Sequence, residues 1–259
     1  MSIFNKPRLQ FQGELHDIVL VNFSVDPAEV RELLPKPLEL RLFEGRAMIS
    51  MVDVCLQNMR AKGPLGSFSF DYQHIGFRLL VKDANWNQDA SNHGIYFLDS
   101  FTDRKLIAFG GSLLSNYRLA HASLHQLPQG LDLRQGEKHL HYDFSGPILQ
   151  PSQSQVELQK VIGGIDRAWA VENSQLLKTQ IVREKWPLEP VNCNRFETNF
   201  FESARLEGVF RVPETIHYTW LPQEIIQSLK PATIASPIDP VYAGILTIQQ
   251  THSSARCFR

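Results

Sequence analysis

Cysteine is scarce, charge of either sign is not in excess, and long apolar runs are absent. Each absence narrows what the chain can be. The 259 residues contain three cysteines, Cys55, Cys193 and Cys257. They are odd in number, far apart and never spaced as CxxC, so neither a disulfide framework nor a cysteine zinc site is expected. A reducing cytoplasm is the simplest home. Lysine and arginine total 26 against 27 aspartates and glutamates. No basic stripe is present, which argues against nucleic acid and anionic membrane as main partners. The longest apolar runs are of the size of Leu106-Ile107-Ala108-Phe109. None approaches the roughly 18 residues of a membrane span, and Met1 to Gln12 has no apolar signal core. No GxSxG elbow occurs, and Gly110-Gly111 lacks the spacing of a dinucleotide or phosphate loop. What remains is ordinary for a globular domain: 43% hydrophobic and 20% charged residues. The length allows one large domain or two modest ones. With no internal repeat and no long linker, a single domain over 1–259 is expected.

Alternating apolar residues predict strands over most of the chain. His16–Val25 has Val19, Val21, Phe23 and Val25 on one face and Ile18 and Leu20 on the other, so both faces are buried. Asp26-Pro27-Ala28-Glu29 predicts a helix start, with Asp26 as N-cap and Glu29 completing a capping box. Pro35 ends that helix at Leu34. Leu38–Phe43 and Arg46–Met59 read as a hairpin around Glu44-Gly45. Phe70–Lys82 places Ile75, Phe77, Leu79 and Val81 on one face, and His93–Asp99 returns beside it. Thr102–Ser115 reads as a helix despite Gly110-Gly111, which cost about 1 kcal/mol each there. Hairpins follow around Gln135-Gly136 and Asn173-Ser174. Gln155–Ile162 and Phe196–Leu206 read as helices, and Ile216–Trp220 as a late strand. Adjacent strands without regular βαβ alternation predict an α+β fold with a mainly antiparallel sheet.

Histidines supply the candidate chemistry but no complete set. His121 and His125 stand four apart on a strand, roughly 13 Å from one another, and no carboxylate completes a metal site. His139 and His141 share a face without a third ligand. His16, Asp17 and Ser50 have the residue types of a triad, yet nothing in the sequence places them together. No metal and no cofactor are expected.

Three separated segments carry a resemblance. Val25-Asp26-Pro27 through Leu34-Pro35-Lys36-Pro37-Leu38-Glu39-Leu40 resembles the opening of acetoacetate decarboxylase-like proteins. Gly110-Gly111-Ser112-Leu113-Leu114-Ser115-Asn116-Tyr117-Arg118-Leu119 resembles the active-site segment of that family. Lys185-Trp186-Pro187-Leu188-Glu189-Pro190, with His217-Tyr218 after it, is similar to a segment of the uncharacterised YqjF-like branch. Together they span about 14–220; residues 221–259 are an unassigned tail. The resemblance implies a curved, mainly antiparallel sheet that closes into a cone or barrel around a pocket, with a few short outer helices.

The resemblance also implies a lost reaction. The decarboxylase acts through two adjacent lysines, one forming a Schiff base and the other lowering its pKa. Here those positions read Arg118-Leu119, or Tyr117-Arg118 after a one-residue slip. A guanidinium stays protonated and forms no imine. Lys105, about three turns earlier, reads as a solvent-facing helix residue. The family's first-strand arginine falls near His16, and a pocket glutamate near Ser50, with Asp53 the closest acid. Arg118, Tyr117, His16, Ser50 and Asp53 are therefore the candidate ligand-binding residues. The expected ligand is a small carboxylate held by Arg118, and the Schiff-base reaction is expected to be absent. Two alternatives remain: an enzyme of lyase or hydrolase type using acid/base chemistry, with His16 in that role, or an interaction protein with a vestigial pocket. Self-association into a homo-oligomer is compatible with either.

Overall fold

A computed structural model describes residues 10–36, 38–63, 69–83, 93–114, 119–172 and 174–228. Sixteen strands and three short helices occur among them. In chain order they are β1 (Phe11–Val25), α1 (Pro27–Arg31), β2 (Leu38–Leu40), β3 (Leu42–Phe43), β4 (Arg46–Ala61), β5 (Phe70–Asp83) and β6 (His93–Thr102). Then come α2 (Lys105–Leu114), β7 (Leu119–His121), β8 (Ser123–Leu127), β9 (Gly130–Gln135), β10 (Lys138–Pro147) and α3 (Gln153–Gly163). The last are β11 (Arg167–Glu172), β12 (Gln175–Arg183), β13 (Glu189–Thr198), β14 (Arg205–Val212), β15 (Ile216–Trp220) and β16 (Glu224–Ser228).

Seven strands close into a barrel. The path runs β4-β5-β6-β11-β12-β15-β1, and β1 pairs back onto β4. All neighbours are antiparallel except β6 and β11, which are parallel, so the barrel is mixed. β1 belongs to two structures at once. Its first half, Phe11–Leu15, pairs with β15, while Ile18–Ser24 pairs with β14 on the same edge. From there β14, β13, β10, β9 and β8 form an arm that folds against the outside of the barrel.

Register shows which face is the interior. Leu15, Leu56, Ile216, Ile95 and Ala168 share one face around all seven strands and form one buried cluster, to which α3 adds Leu158 and Ile162. The opposite face carries exposed Gln12, Gln180 and His217 where nothing covers it. Where the arm covers it, that outer face is apolar. Val21, Phe23, Ile49, Met51, Phe77 and Leu79 pack there against Leu131, Leu133, Leu140 and Val209, with α1 adding Val30. Both faces of the barrel wall are thus buried along β1, β4 and β5, which explains why their sequences are apolar in both registers.

Local chemistry departs from the sequence reading in three places. Asp26 does cap α1, accepting from Ala28 N at 2.8 Å. Glu29, however, does not close a capping box: its carboxylate is taken by Glu202 N and Ser203 on the β13–β14 turn. The helix proper ends at Arg31, and Leu33 and Leu34 continue only as turns bonded to Val30 and Arg31. Leu38–Phe43 is not one strand. Arg41 N donates to Leu80 O between β2, which pairs with β5, and β3, which pairs with β4. Phe196–Leu206 is not helical. Phe196 lies in β13 with its ring 5.4 Å from Phe23, and Asn199 turns the chain by bonding His139 N and Glu137 O with its side chain. Tertiary packing there overrides local propensity.

Gly130, which opens β9, is required by close approach. A Cβ there would lie 2.2 Å from Tyr142 O and 2.9 Å from Asp143 Cα. Both are backbone and cannot yield without shifting β10. Gly130→Ala is expected to cost about 3 kcal/mol or more, read as a lowered urea midpoint. An unchanged midpoint would show that β9 and β10 lie further apart.

Candidate functional site

Tyr72, His74, Phe97, Ile181 and Trp220 point inward, yet all are only partly buried. Inward residues at the other end, such as Met48, Leu80, Ile95 and Ala168, are fully buried. The interior thus has an aromatic end that is partly open to solvent and an apolar end that is closed. Gly76 shapes its wall: a Cβ there would lie 2.9 Å from His74 Nε2 and 3.2 Å from the Phe97 ring. The glycine lets the imidazole lie along β5.

Arg78 points into this interior from β5. Only 7% of its surface remains open. Its Nε donates to Ser50 O and its Nη2 to Ser50 Oγ, both at 2.9 Å. Burial, and secondarily the like charge of Arg183, push its pKa down to about 9, so it is protonated at neutral pH. Among the described residues no carboxylate forms an ion pair with it, and no protein group accepts from Nη1. Arg183 differs. Gly163 O, Ile165 O and Glu184 O accept from it, and its guanidinium lies 4.4 Å above the Trp186 ring. One buried cation is thus satisfied by the protein and the other is not, which is costly for an apo protein.

Two more inward groups lack partners. His74 is held neutral because burial, and then the Arg78 charge, lower its pKa to about 4, and its Nδ1 is buried without a hydrogen bond. Asn22, opposite Ser50 across β1 and β4, is fully buried. Its Nδ2 donates to Leu20 O and Gly208 O, while Oδ1 is unpaired.

Of the residues singled out from sequence, Ser50 lies on the inner face and accepts from Arg78. His16 and Asp53 lie on the outer face of the wall. His16 stands between Glu14 Oε2 and Thr215 Oγ1, each at 3.1 Å, beside a bulge where Asp17 has φ of 51°. Its hydrogen bond holds the Glu14 carboxyl below its usual range. Asp53 is 2% exposed and points into the seam under the arm. There Tyr142 OH donates to it at 2.6 Å and Gln73 Nε2 at 2.9 Å. Arg118 and Tyr117 lie outside the described residues. Among the described residues no group of three His, Cys, Asp or Glu side chains could hold a metal. Every described lysine is at least partly exposed; the least exposed, Lys178, pairs with Glu224. No described helix is long and apolar enough to cross a membrane.

Arg78 and His74 escaped the sequence reading although their strand did not. The apolar set Ile75, Phe77, Leu79 and Val81 took the role of the buried face, which left Tyr72, His74, Gly76 and Arg78 as the wet one. In a closed barrel the polar register turns inward. The available signal was an arginine and a histidine flanking a glycine on a strand whose other face is wholly apolar.

This fold is that of acetoacetate decarboxylase-like enzymes. The chain superposes on acetoacetate decarboxylase from Legionella pneumophila with a TM-score of 0.54 at 12% identity, covering 88% of this chain and 90% of that one. The enduracididine biosynthesis enzyme MppR with bound HEPES gives 0.54 at 12% identity, over 88% and 91% of the two chains. An acetoacetate decarboxylase-like enzyme from Sphingomonas wittichii gives 0.53 at 11% identity, over 88% and 96%. At such identities the likeness establishes the fold alone. No curated protein matches the sequence. Residues 12–221 match DUF2071, an uncharacterized conserved protein family, and the chain belongs to that family.

Proposed function

We propose that this protein binds a small organic acid inside the barrel, with Arg78 as the anion clamp and without Schiff-base chemistry. The observation that carries the reading is the buried guanidinium of Arg78, which no carboxylate meets among the described residues. A ligand carboxylate on Nη1 would supply the missing charge in a setting where such a bond is strong. The solved MppR structures support an acid: that enzyme is seen with HEPES, a sulfonic acid, and with a condensation product of pyruvate. Arg118 stays in the reading as a second cation at the family's lysine position, Tyr117 beside it. The YqjF-like branch is the kinship this reading favours, and the cytoplasm its setting.

The test is a screen of carboxylic acids by thermal shift. A binding acid should raise Tm in proportion to the logarithm of its concentration over Kd. A screen in which no carboxylate, sulfonate or phosphate shifts Tm removes the proposal and favours an interaction protein with a vestigial pocket.

Imine chemistry is tested separately. Incubation with acetoacetate or pyruvate plus borohydride should leave the intact mass unchanged, since an imine-forming lysine is activated by desolvation or a neighbouring cation and every described lysine is at least partly exposed. A stoichiometric adduct on one lysine would reinstate a decarboxylase or aldolase-like mechanism.

A further inference from the structure

The pocket also says which acid it is built for. The inference rests on the anion-binding reading above and adds the neighbouring group the ligand must carry. Register places Asn22, Ser50 and Arg78 side by side on β1, β4 and β5, all on the inner face. Neighbours across such strands stand about 5 Å apart. Arg78 reaches back to Ser50, so its charge lies about one strand away from Asn22.

The hydrogen-bonding capacities at the two points are opposite. At Arg78 there are donors in excess: the Nη1 hydrogens, and the Ser50 hydroxyl hydrogen, whose oxygen already accepts from Nη2. At Asn22 there is an acceptor in excess. Its amide cannot turn over, because Oδ1 would then face two carbonyl oxygens, Leu20 O and Gly208 O, that its Nδ2 now serves. Nδ2 is drawn toward Leu20 O and β14, and the neighbour of Asn22 on its other side is Ser50 of β4. Oδ1 is fully buried and unpaired. His74 Nδ1, also buried and unpaired, can accept in one of its tautomers.

We infer that the ligand is a hydroxy acid: a carboxylate for Arg78 and Ser50, with a hydroxyl on the adjacent carbon that donates to Asn22 Oδ1. A keto acid of the same shape would set a carbonyl oxygen against Oδ1 and leave that acceptor buried and unmet. An amino acid could donate, but its ammonium would lie beside the Arg78 charge, with which, among the described residues, no carboxylate pairs. The aromatic end, with Tyr72, Phe97 and Trp220, suits an apolar tail.

Two isosteric series test this with the full chain: lactate, pyruvate and alanine, and 2-hydroxy-4-methylpentanoate, 4-methyl-2-oxopentanoate and leucine. Calorimetry should show the hydroxy acid binding about ten-fold or more tighter than its keto partner in at least one series, and the amino acid not at all. The hydroxy-to-keto ratio should fall toward one in Asn22→Ala, with keto-acid affinity kept. That retained affinity reports an intact pocket; should the variant not fold, the wild-type ratio decides alone. Keto acid binding as well as or better than hydroxy acid overturns this inference and leaves the anion site standing. No binding by any of the six overturns this inference and leaves the anion site to the wider screen of acids.

Discussion

Asp53→Asn is expected to stabilise the protein at neutral pH and to lose that advantage in acid. Asp53 is buried in the seam between barrel and arm, and burial pushes its pKa up to about 6 despite the hydrogen bonds from Tyr142 and Gln73; the charge of Asp17 acts in the same upward direction. The unfolded chain releases this proton near pH 3.9. Between those values the native state binds more protons than the unfolded state, so stability falls as pH rises, and the loss is complete above about pH 6. A shift of about two units corresponds to about 3 kcal/mol. Asparagine removes that penalty and can still accept from Tyr142 OH. It also presents hydrogens to Gln73, whose amide already donates to Gln126 Oε1 at 2.6 Å, and rearranging these costs about 1 kcal/mol. The net gain at pH 7.5 is then about 2 kcal/mol, or about 4–8 °C in Tm. Near pH 4.5 the two proteins should be equally stable. A variant less stable than wild type at both pH values would mean that Asp53 keeps its charge in the seam.

Arg78→Met should have the opposite signature to an ordinary core substitution. The buried guanidinium lacks an acidic partner among the described residues, so an apolar side chain of similar length is expected to raise the stability of the ligand-free protein by about 2 kcal/mol. The same change should abolish the rise in Tm that carboxylates cause in wild type. Gain of stability with loss of ligand response is the pattern of a site held at the expense of the fold. Loss of stability in Arg78→Met with an undiminished carboxylate response would assign Arg78 a structural role and move the anion site elsewhere, Arg118 being the next residue to replace.

Much of the architecture could be read from the sequence because strands announce themselves locally. The hairpins around Glu44-Gly45, Gln135-Gly136 and Asn173-Ser174, the late strand at Ile216–Trp220 and the helix over Gln155–Ile162 all depend on neighbours in the chain. Features that depend on distant partners could not be read this way. Phe196–Leu206 has a helical pattern, yet Phe196 is claimed by Phe23 and the turn by Asn199. Glu29 sits where a capping box needs it, yet Ser203 takes its carboxylate. The site divides along the same line. Ser50, reached through resemblance, lies on the inner face and accepts from Arg78. Asp53 is three residues further along β4, an odd step that reverses the face of a strand. Arg78 could be found only by knowing that the sheet closes.

Closure has a consequence for how the chain is made. β1 completes the barrel only by pairing with β15, roughly 190 residues later, and its other half waits for β14. During synthesis at about 5–20 residues per second, one edge of β1 is without a partner for about 10–40 s. Over that interval β1 can pair with β4, but the hydrogen-bonding edge that β14 and β15 will cover stays open, next to Leu20, Val21 and Phe23. An apolar strand with a free edge recruits other chains. Nascent copies on one messenger are therefore adhesive until β15 emerges, and faster elongation between β1 and β15, more than any added stability of the finished barrel, would shorten the exposure.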